Sequence, residues 1–561
     1  MKFKLNRGHW VLRRYNSLFI LVVLLIIYNS FFLNKAFHID DPFTIDIARA
    51  VNKNFLNVPQ VFFSNPILLG YYYGPIIKLF GEREIILHIF SLPFALLAIV
   101  AMFILSVRFT KKGLLPTLFL VISPAFLIMS HNIMLDIPLL SFFLGALAAF
   151  VYGVDKDNNF LLFFSGILAG MAILTKYSGL MVLPLMFIYA WLFSKRRCGL
   201  FLLIPLAVFF LWNIQNIIFY KRCIFLGALL YRLRSFSFHV ILERIFASLS
   251  FISGTSIVSL FLAAFFLRKR NCIFLFLLSL PVSLCPFLMK GYFIDYTNWC
   301  KLALSLFFVF SLFIIFILFK NGLAALIKKP RGKDKDDIFL SLWFFLLLGF
   351  TIFIQFVAAR FILLLFPPMF LLIYRELSRH KVYFLPKFKK MISFSIIITG
   401  LISTILAIGD YHFAGIYRDF PKVIKKISLS ANKNICSPCD FYVPYNAWGY
   451  AYYLTKYFPR DLKGLFFNLE GWPEEMTKDD IVILPSEPVL SAVVGGQWEE
   501  RFKKLTQEMI LSQRFCYKGN VALHNRRFHT GFYSHDWGLL PFYVSLRKIP
   551  LETFNVYAKP E

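Results

Sequence analysis

Five stretches of this sequence, 17–33, 85–107, 200–218, 302–319 and 391–408, approach twenty consecutive apolar residues, the length at which a helix rising about 1.5 Å per residue crosses a hydrocarbon core of about 30 Å. No soluble fold can hide so many such runs. With 59% hydrophobic side chains and 70 phenylalanines in 561 residues, the solvent of this chain is lipid. Extending the reading to shorter apolar runs places spans near 17–33, 85–107, 114–129, 137–153, 160–174, 179–194, 200–219, 247–267, 271–289, 301–319, 338–356, 360–375 and 391–409. That is about thirteen transmembrane helices, with eleven or twelve left open. The apolar stretches 161–193 and 338–374 are each split in two. The second would run to roughly 55 Å as one helix, far beyond a single crossing. The turns fall at 175–178 and 358–360.

The formal charge of +30 first suggests a nucleic-acid partner, and its distribution excludes one. Residues 1–409 carry 41 Lys and Arg against 14 Asp and Glu; residues 410–561 carry 19 against 16. The excess therefore sits in the membrane region, where a cytoplasmic bias of basic residues is its ordinary cause. With the N-terminus inside, RFTKKG, SKRRCG, LRKRN, KKPRGKDKDD and RELSRHKVYFLPKFKK fall on one side, giving 27 basic residues inside and 14 outside. The basic N-terminus before the first run lacks a small-residue cleavage site, so it reads as an uncleaved first helix. An odd number of spans puts the end of the chain outside.

From Asp410 onward polarity becomes mixed, with turn punctuation and a strand-like DDIVILP, and about 150 residues suffice for a domain with its own core. The expected architecture is thus an all-α polytopic membrane domain over 1–409 and a C-terminal soluble α/β domain over 410–561 on the outer face. Cys436 and Cys439 form a CxxC pair. A disulfide or two free thiols suit it better than a metal site, which needs more ligands.

Orientation sorts the unusual charges. Asp40, Asp41, Asp46, Asn65, His131, Asp136, Lys176, Lys290, Asp295 and Arg360 all fall at outer span ends or outer loops, where charge is costly enough to suggest function or else pairing and snorkelling. The first outer loop, 34–84, is long for a connector. Its IDIARAV and LLGYYYGPIIKLFG stretches suit helices lying in the interface. Tyr71 and Tyr72 there are candidate substrate contacts, with an aromatic belt as the alternative. Asp40 and Asp41 are adjacent carboxylates just past a span. Either their repulsion raises one pKa so that it can act as a base or bind a cation, or Asp41-Pro42 merely sets a turn.

These elements together resemble the polyprenyl-phosphate-sugar-dependent glycosyltransferases of the GT-C fold, including protein O-mannosyltransferases and the lipid A aminoarabinose transferase. Asp40-Asp41 corresponds to an Asp-Glu pair, and Asp46-Ile47-Ala48-Arg49 to a Glu-Ile-Ala-Arg stretch. NPILLGYYYGPIIKLFG, MLDIPLL, GILAGMAILTKYSGLMVLP and ARFILLLFPP follow the family's remaining elements in order. The resemblance covers roughly residues 17–375. Three departures stand out: Asp41 replaces the usual Glu, Thr44 a Tyr, and Asn65 a basic residue.

The resemblance implies an inverting transfer of sugar from a polyprenyl-phosphate donor to a lipid, glycan or protein hydroxyl at the outer face of a plasma (inner) membrane. It implies Asp40 as base, with Asp41 or Asp136 orienting it or binding acceptor. Lys176 and Arg360, with Asn65, would face the phosphate, and Asp136, Tyr71, Tyr72 and His131 would contact substrate. No metal or other cofactor is expected, although two nearby carboxylates leave room for a divalent cation. The alternatives are a transporter or lipid flippase, or a catalytically silent relative whose outer domain binds a partner. Plain readings stand beside each site residue: Lys176 snorkelling, Asp136 capping a helix, Arg360 in a turn, His131 in a loop.

Overall fold

A computed structural model describes residues 2–58, 65–234, 237–266, 270–327, 332–353, 357–379, 386–430, 441–442, 448–457, 481–485 and 509–558. Cys436 and Cys439, and the turns around them, lie outside the described residues. Among the described residues, seven helices are long and apolar enough to cross a membrane: Glu84–Thr110, Asp136–Lys156, Arg197–Tyr220, Asn298–Ile327, Asp334–Phe353, Ala359–Arg379 and Phe388–Ile424. Phe238–Gly254 with Ile257–Ala263 makes an eighth if the pair, bent by 81°, is one span. Four shorter apolar helices, Asn16–Ser30, Asn159–Thr175, Tyr177–Leu192 and Cys272–Leu288, accompany them. The chain is an integral membrane protein, and the described residues of each stretch read as a span lie mainly in a helix or a broken helix.

The breaks differ from the simple reading for local reasons. The 114–129 run divides into Leu114–Val121 and Pro124–Ser130. Pro124 has no N–H to continue the ladder, and Ser123 accepts from the Phe126 N–H as an N-cap. The last span does not stop at Gly409; its helix runs from Pro386 to Ser430, so Asp410 lies within a helix rather than at its end.

The long first loop folds into the two expected helices, Asp41–Lys53 and Leu68–Phe80. They cross closely because Gly70 and Gly74 face the partner helix: a Cβ on Gly70 would lie 2.4 Å from Ile47, and one on Gly74 3.0 Å from Asn52. The C-terminal region forms a helix, Trp448–Tyr457, and a four-stranded sheet. Naming the strands β1 (Phe441–Tyr442), β2 (Ile481–Pro485), β3 (Ile510–Ala522), β4 (His524–Asn525), β5 (Thr530–Gly531) and β6 (Tyr543–Ala558), the sheet order is β1-β2-β6-β3, and β4 pairs with β5 separately. β2 is the strand expected from DDIVILP.

Segments assigned to one side of the membrane do meet. Arg108 pairs with Asp155 and, at 3.2 Å, with Asp336, while Arg375 reaches Asp337 at 2.6 Å. Of the charges assigned to the other side, Asp40, Asp136, Lys176 and Arg360 gather elsewhere.

Candidate active site

Four span ends and loops bring four charged side chains together. Asp136 opens its helix, where the partial positive charge of the helix N-terminus favours a carboxylate. Lys176 ends the helix Asn159–Thr175 in extended conformation (φ −159°, ψ 140°), and the tight turn after it depends on Gly179. The Gly179 N–H donates to the Lys176 carbonyl at 2.8 Å, and a Cβ on Gly179 would lie 2.3 Å from the Ala172 carbonyl oxygen. Arg360 lies in the first turn of Ala359–Ile362. Lys176 Nζ donates to Asp136 Oδ1 at 2.9 Å, Arg360 Nη1 lies 3.8 Å from Asp136 Oδ2, and Arg360 Nη1 donates to Asp40. The Lys176 ammonium also sits 3.9 Å from the Phe361 ring centroid, a cation–π contact.

Burial divides this cluster into a back and a front. Asp136 and Arg360 side chains are 3% and 7% exposed, Lys176 14%, and Asp40 43%. Asp40 is thus the member that meets open space. It occupies the N-cap position of Asp41–Lys53 without making a side-chain cap bond, leaving its carboxylate to Arg360. Ile39 just before it has φ 51°, a left-handed conformation that costs a β-branched residue about 1–3 kcal/mol and persists only where neighbours impose it.

Of the neighbours that impose it, Asp41 stood out in the sequence and His38 did not. The Asp41 N–H donates to the His38 carbonyl at 3.0 Å, and the His38 N–H to Asp41 Oδ2 at 3.2 Å. Asp41 Oδ1 accepts from the Ile133 N–H at 3.0 Å. Asp41 is fully enclosed and ties two loops together. Behind it, His38 Nε2 lies 3.1 Å from Asp410 Oδ1 and 3.2 Å from the Tyr533 hydroxyl. The Tyr533 hydroxyl donates to Asp410 at 2.8 Å. Lys35 Nζ donates to Asp410 and Asn132, and His131 Nδ1 lies 3.3 Å from it.

Lys35, His38 and Asp410 are fully buried. His131 belongs to this enclosed network, stacked 4.5 Å from Phe32. Burial first, then Lys35, holds its imidazole well below the usual range, which suits an acceptor. For His38, burial and Lys35 act downward, but Asp410 and Asp41 outweigh them and its pKa is raised.

The other expected contacts lie on or beside the two helices of the first loop. Tyr71 donates to the Phe55 carbonyl at 2.9 Å and Tyr72 to the Phe90 carbonyl at 2.8 Å. Asn65 lies half-buried just before Leu68–Phe80. Arg49 bonds Asp46 at 2.8 Å and Glu82 at 2.5 Å, so the Ile-Ala-Arg stretch braces the loop. Among the described residues, no group of three or more His, Cys, Asp and Glu could hold a metal ion.

Compared with known proteins, residues 64–201 match the family described as dolichyl-phosphate-mannose-protein mannosyltransferase. The GT-C resemblance is supported. The matched stretch holds Asp136 and Lys176 and leaves Asp40 and Arg360 outside it. ArnT from Cupriavidus metallidurans in the apo state is similar at 14% identity and a TM-score of 0.39, over 80% of this chain and 85% of that one. The same protein bound to undecaprenyl phosphate is similar at 14% identity and a TM-score of 0.41, over 88% and 95%. No curated protein matches the chain in sequence.

Proposed function

We propose that this protein is an inverting glycosyltransferase that takes a sugar from a polyprenyl-phosphate donor and passes it to a hydroxyl of a lipid, glycan or protein at the outer face of a plasma membrane. The observation that carries the reading is the joining of one half-exposed carboxylate, Asp40, to two largely buried cations, Arg360 and Lys176, with Asp136 behind them. Transfer needs those two functions side by side: a base for the acceptor hydroxyl and positive charge for the departing phosphate.

In the step itself, Asp40 takes the acceptor proton as the acceptor oxygen bonds to the anomeric carbon. The bond from that carbon to the phosphate oxygen breaks, both electrons staying on the phosphate. A donor phosphodiester carries one negative charge and the released polyprenyl phosphate two, so Lys176 and Arg360 meet more charge after the reaction than before it. That difference is what lowers a barrier. A single displacement inverts the anomeric configuration. The positive-inside count supports placing the cluster and the C-terminal region outside.

The test uses full-length protein in nanodiscs, a radiolabelled polyprenyl-phosphate sugar and an envelope extract as acceptor. Asp40→Asn is expected to lower transfer by roughly 10²–10⁴-fold, the usual contribution of a positioned base, while undecaprenyl phosphate still binds. Undiminished transfer by Asp40→Asn removes Asp40 as base. Movement of the donor across the bilayer with no transfer favours a flippase instead.

A further inference from the structure

Asp40 and Arg360 are 320 residues apart in the chain, and one short segment of the C-terminal region holds both. Its first arm reaches Asp40. The Tyr533 hydroxyl donates to both Asp410 oxygens at 2.8 and 2.9 Å and lies 3.2 Å from His38 Nε2. His38 begins the tight loop whose left-handed Ile39 presents Asp40. The second arm reaches Arg360. The Phe532 carbonyl accepts from the Ala359 N–H at 2.9 Å, and the His535 N–H donates to the Val357 carbonyl at 2.8 Å. His535 Nδ1 accepts from the Val357 N–H at 3.2 Å. Residues 532–535 thus clamp Val357 and Ala359, just before Arg360.

We propose that Tyr533, through Asp410 and His38, is a positioning residue of the transfer site, and that the 532–535 segment sets the distance between Asp40 and Arg360. The proposal rests on the glycosyl-transfer reading given above. Two further observations point the same way. Strained backbone such as Ile39 persists only where its surroundings over-determine it, and the Asp41–His38 and His38–Asp410 bonds supply that constraint. Second, Gly449 of the helix Trp448–Tyr457 lies against the same loop, where a Cβ would stand 2.8 Å from the His38 Cα. The C-terminal region thus meets the Asp40 loop through Tyr533 and Gly449 and the Arg360 turn through Phe532 and His535.

A purely structural role for Tyr533 predicts loss of folded protein with normal behaviour of what remains. A positioning role predicts a defect that depends on Arg360. The experiment measures binding of undecaprenyl phosphate to the full chain in nanodiscs, with melting temperature alongside, for wild type, Tyr533→Phe, Arg360→Lys and the double variant. Tyr533→Phe removes only a hydroxyl, leaving Lys35 and His38 on Asp410.

It is expected to weaken binding by roughly three- to tenfold with little change in melting, and to do so by less than about twofold in the Arg360→Lys background, since coupled residues are not additive. Gly449→Ala, which pushes the His38 backbone from the other side, is expected to weaken binding by a similar factor. Wild-type binding by Tyr533→Phe, or the same fold loss with and without Arg360, overturns the proposal. If Arg360→Lys and Asp40→Asn leave both binding and transfer unchanged, the glycosyl-transfer reading itself fails. If those two impair the protein and Tyr533→Phe does not, only the positioning role fails.

Discussion

Replacing Asp136 by Asn separates holding the cations from using them. Asp136 is 3% exposed and bonds Lys176 at 2.9 Å, with Arg360 at 3.8 Å. It is the counter-charge that allows two cations to stand together. Removing one partner of a buried ion pair costs about 3–5 kcal/mol, because the other charge is left uncompensated. The amide oxygen of Asn still accepts from Lys176, so the lower end, about 3 kcal/mol, applies to the empty protein.

An incoming phosphate supplies the missing charge. If binding relieves half of that cost, the affinity of Asp136→Asn for polyprenyl phosphate rises about tenfold over wild type. The variant thus melts lower when empty and gains more on saturation with undecaprenyl phosphate, by the linkage between binding and stability. The assay is a tryptophan-fluorescence melt in nanodiscs with and without undecaprenyl phosphate. Equal ligand-induced shifts in the two proteins, or an unchanged melting point for the empty variant, refutes the assignment of Lys176 and Arg360 to the phosphate.

Two more outcomes follow from the geometry. Gly179→Ala puts a methyl group 2.3 Å from the Ala172 carbonyl oxygen, so the Lys176 turn must move; a loss of about 1–3 kcal/mol and of undecaprenyl phosphate binding is expected. Gly199→Ala, with no atom within 4 Å, is the control that should change neither. The raised pKa of His38 makes its charged form a stabilising element that is fully present below the unfolded value near 6.5. Its contribution is lost as pH rises through the higher folded value. The melting temperature of wild type should therefore fall towards that of His38→Gln as pH is raised from 6 upward, and a constant difference contradicts the assignment.

The membrane architecture was legible because hydropathy is a local property, readable run by run. Asp40, Asp136, Lys176 and Arg360 were legible because a charge at a span end needs a reason. Lys35, His38, Asp410 and Tyr533 were not. Lys35 reads as an ordinary basic flank of the first span, and Asp410 as the first residue after the last one. Nothing local announces that Lys35 meets Asp410 across 375 residues, or His38 Tyr533 across 495. Asp41 and His131 stand out in the sequence for their chemistry, but their burial, which decides how far that chemistry is available, depends on distant contacts. The helix continuing to Ser430 hid the boundary further, since polarity changes at 410 while the backbone does not.

The four charges of the cluster sum to zero, two carboxylates against Lys176 and Arg360. An empty site is therefore electrically neutral, a sensible resting condition beside a bilayer. On the proposed chemistry a bound donor brings the total to −1, and transfer leaves it at −1, because the charge gained by the phosphate is matched by the proton taken by Asp40. Only when Asp40 passes that proton to water does the total reach −2. The moment of greatest repulsion is then set by the departure of a proton rather than by the breaking of the glycosidic bond. Release of the spent lipid would follow the base resetting itself, and the half-exposed position of Asp40 gives that proton its way out.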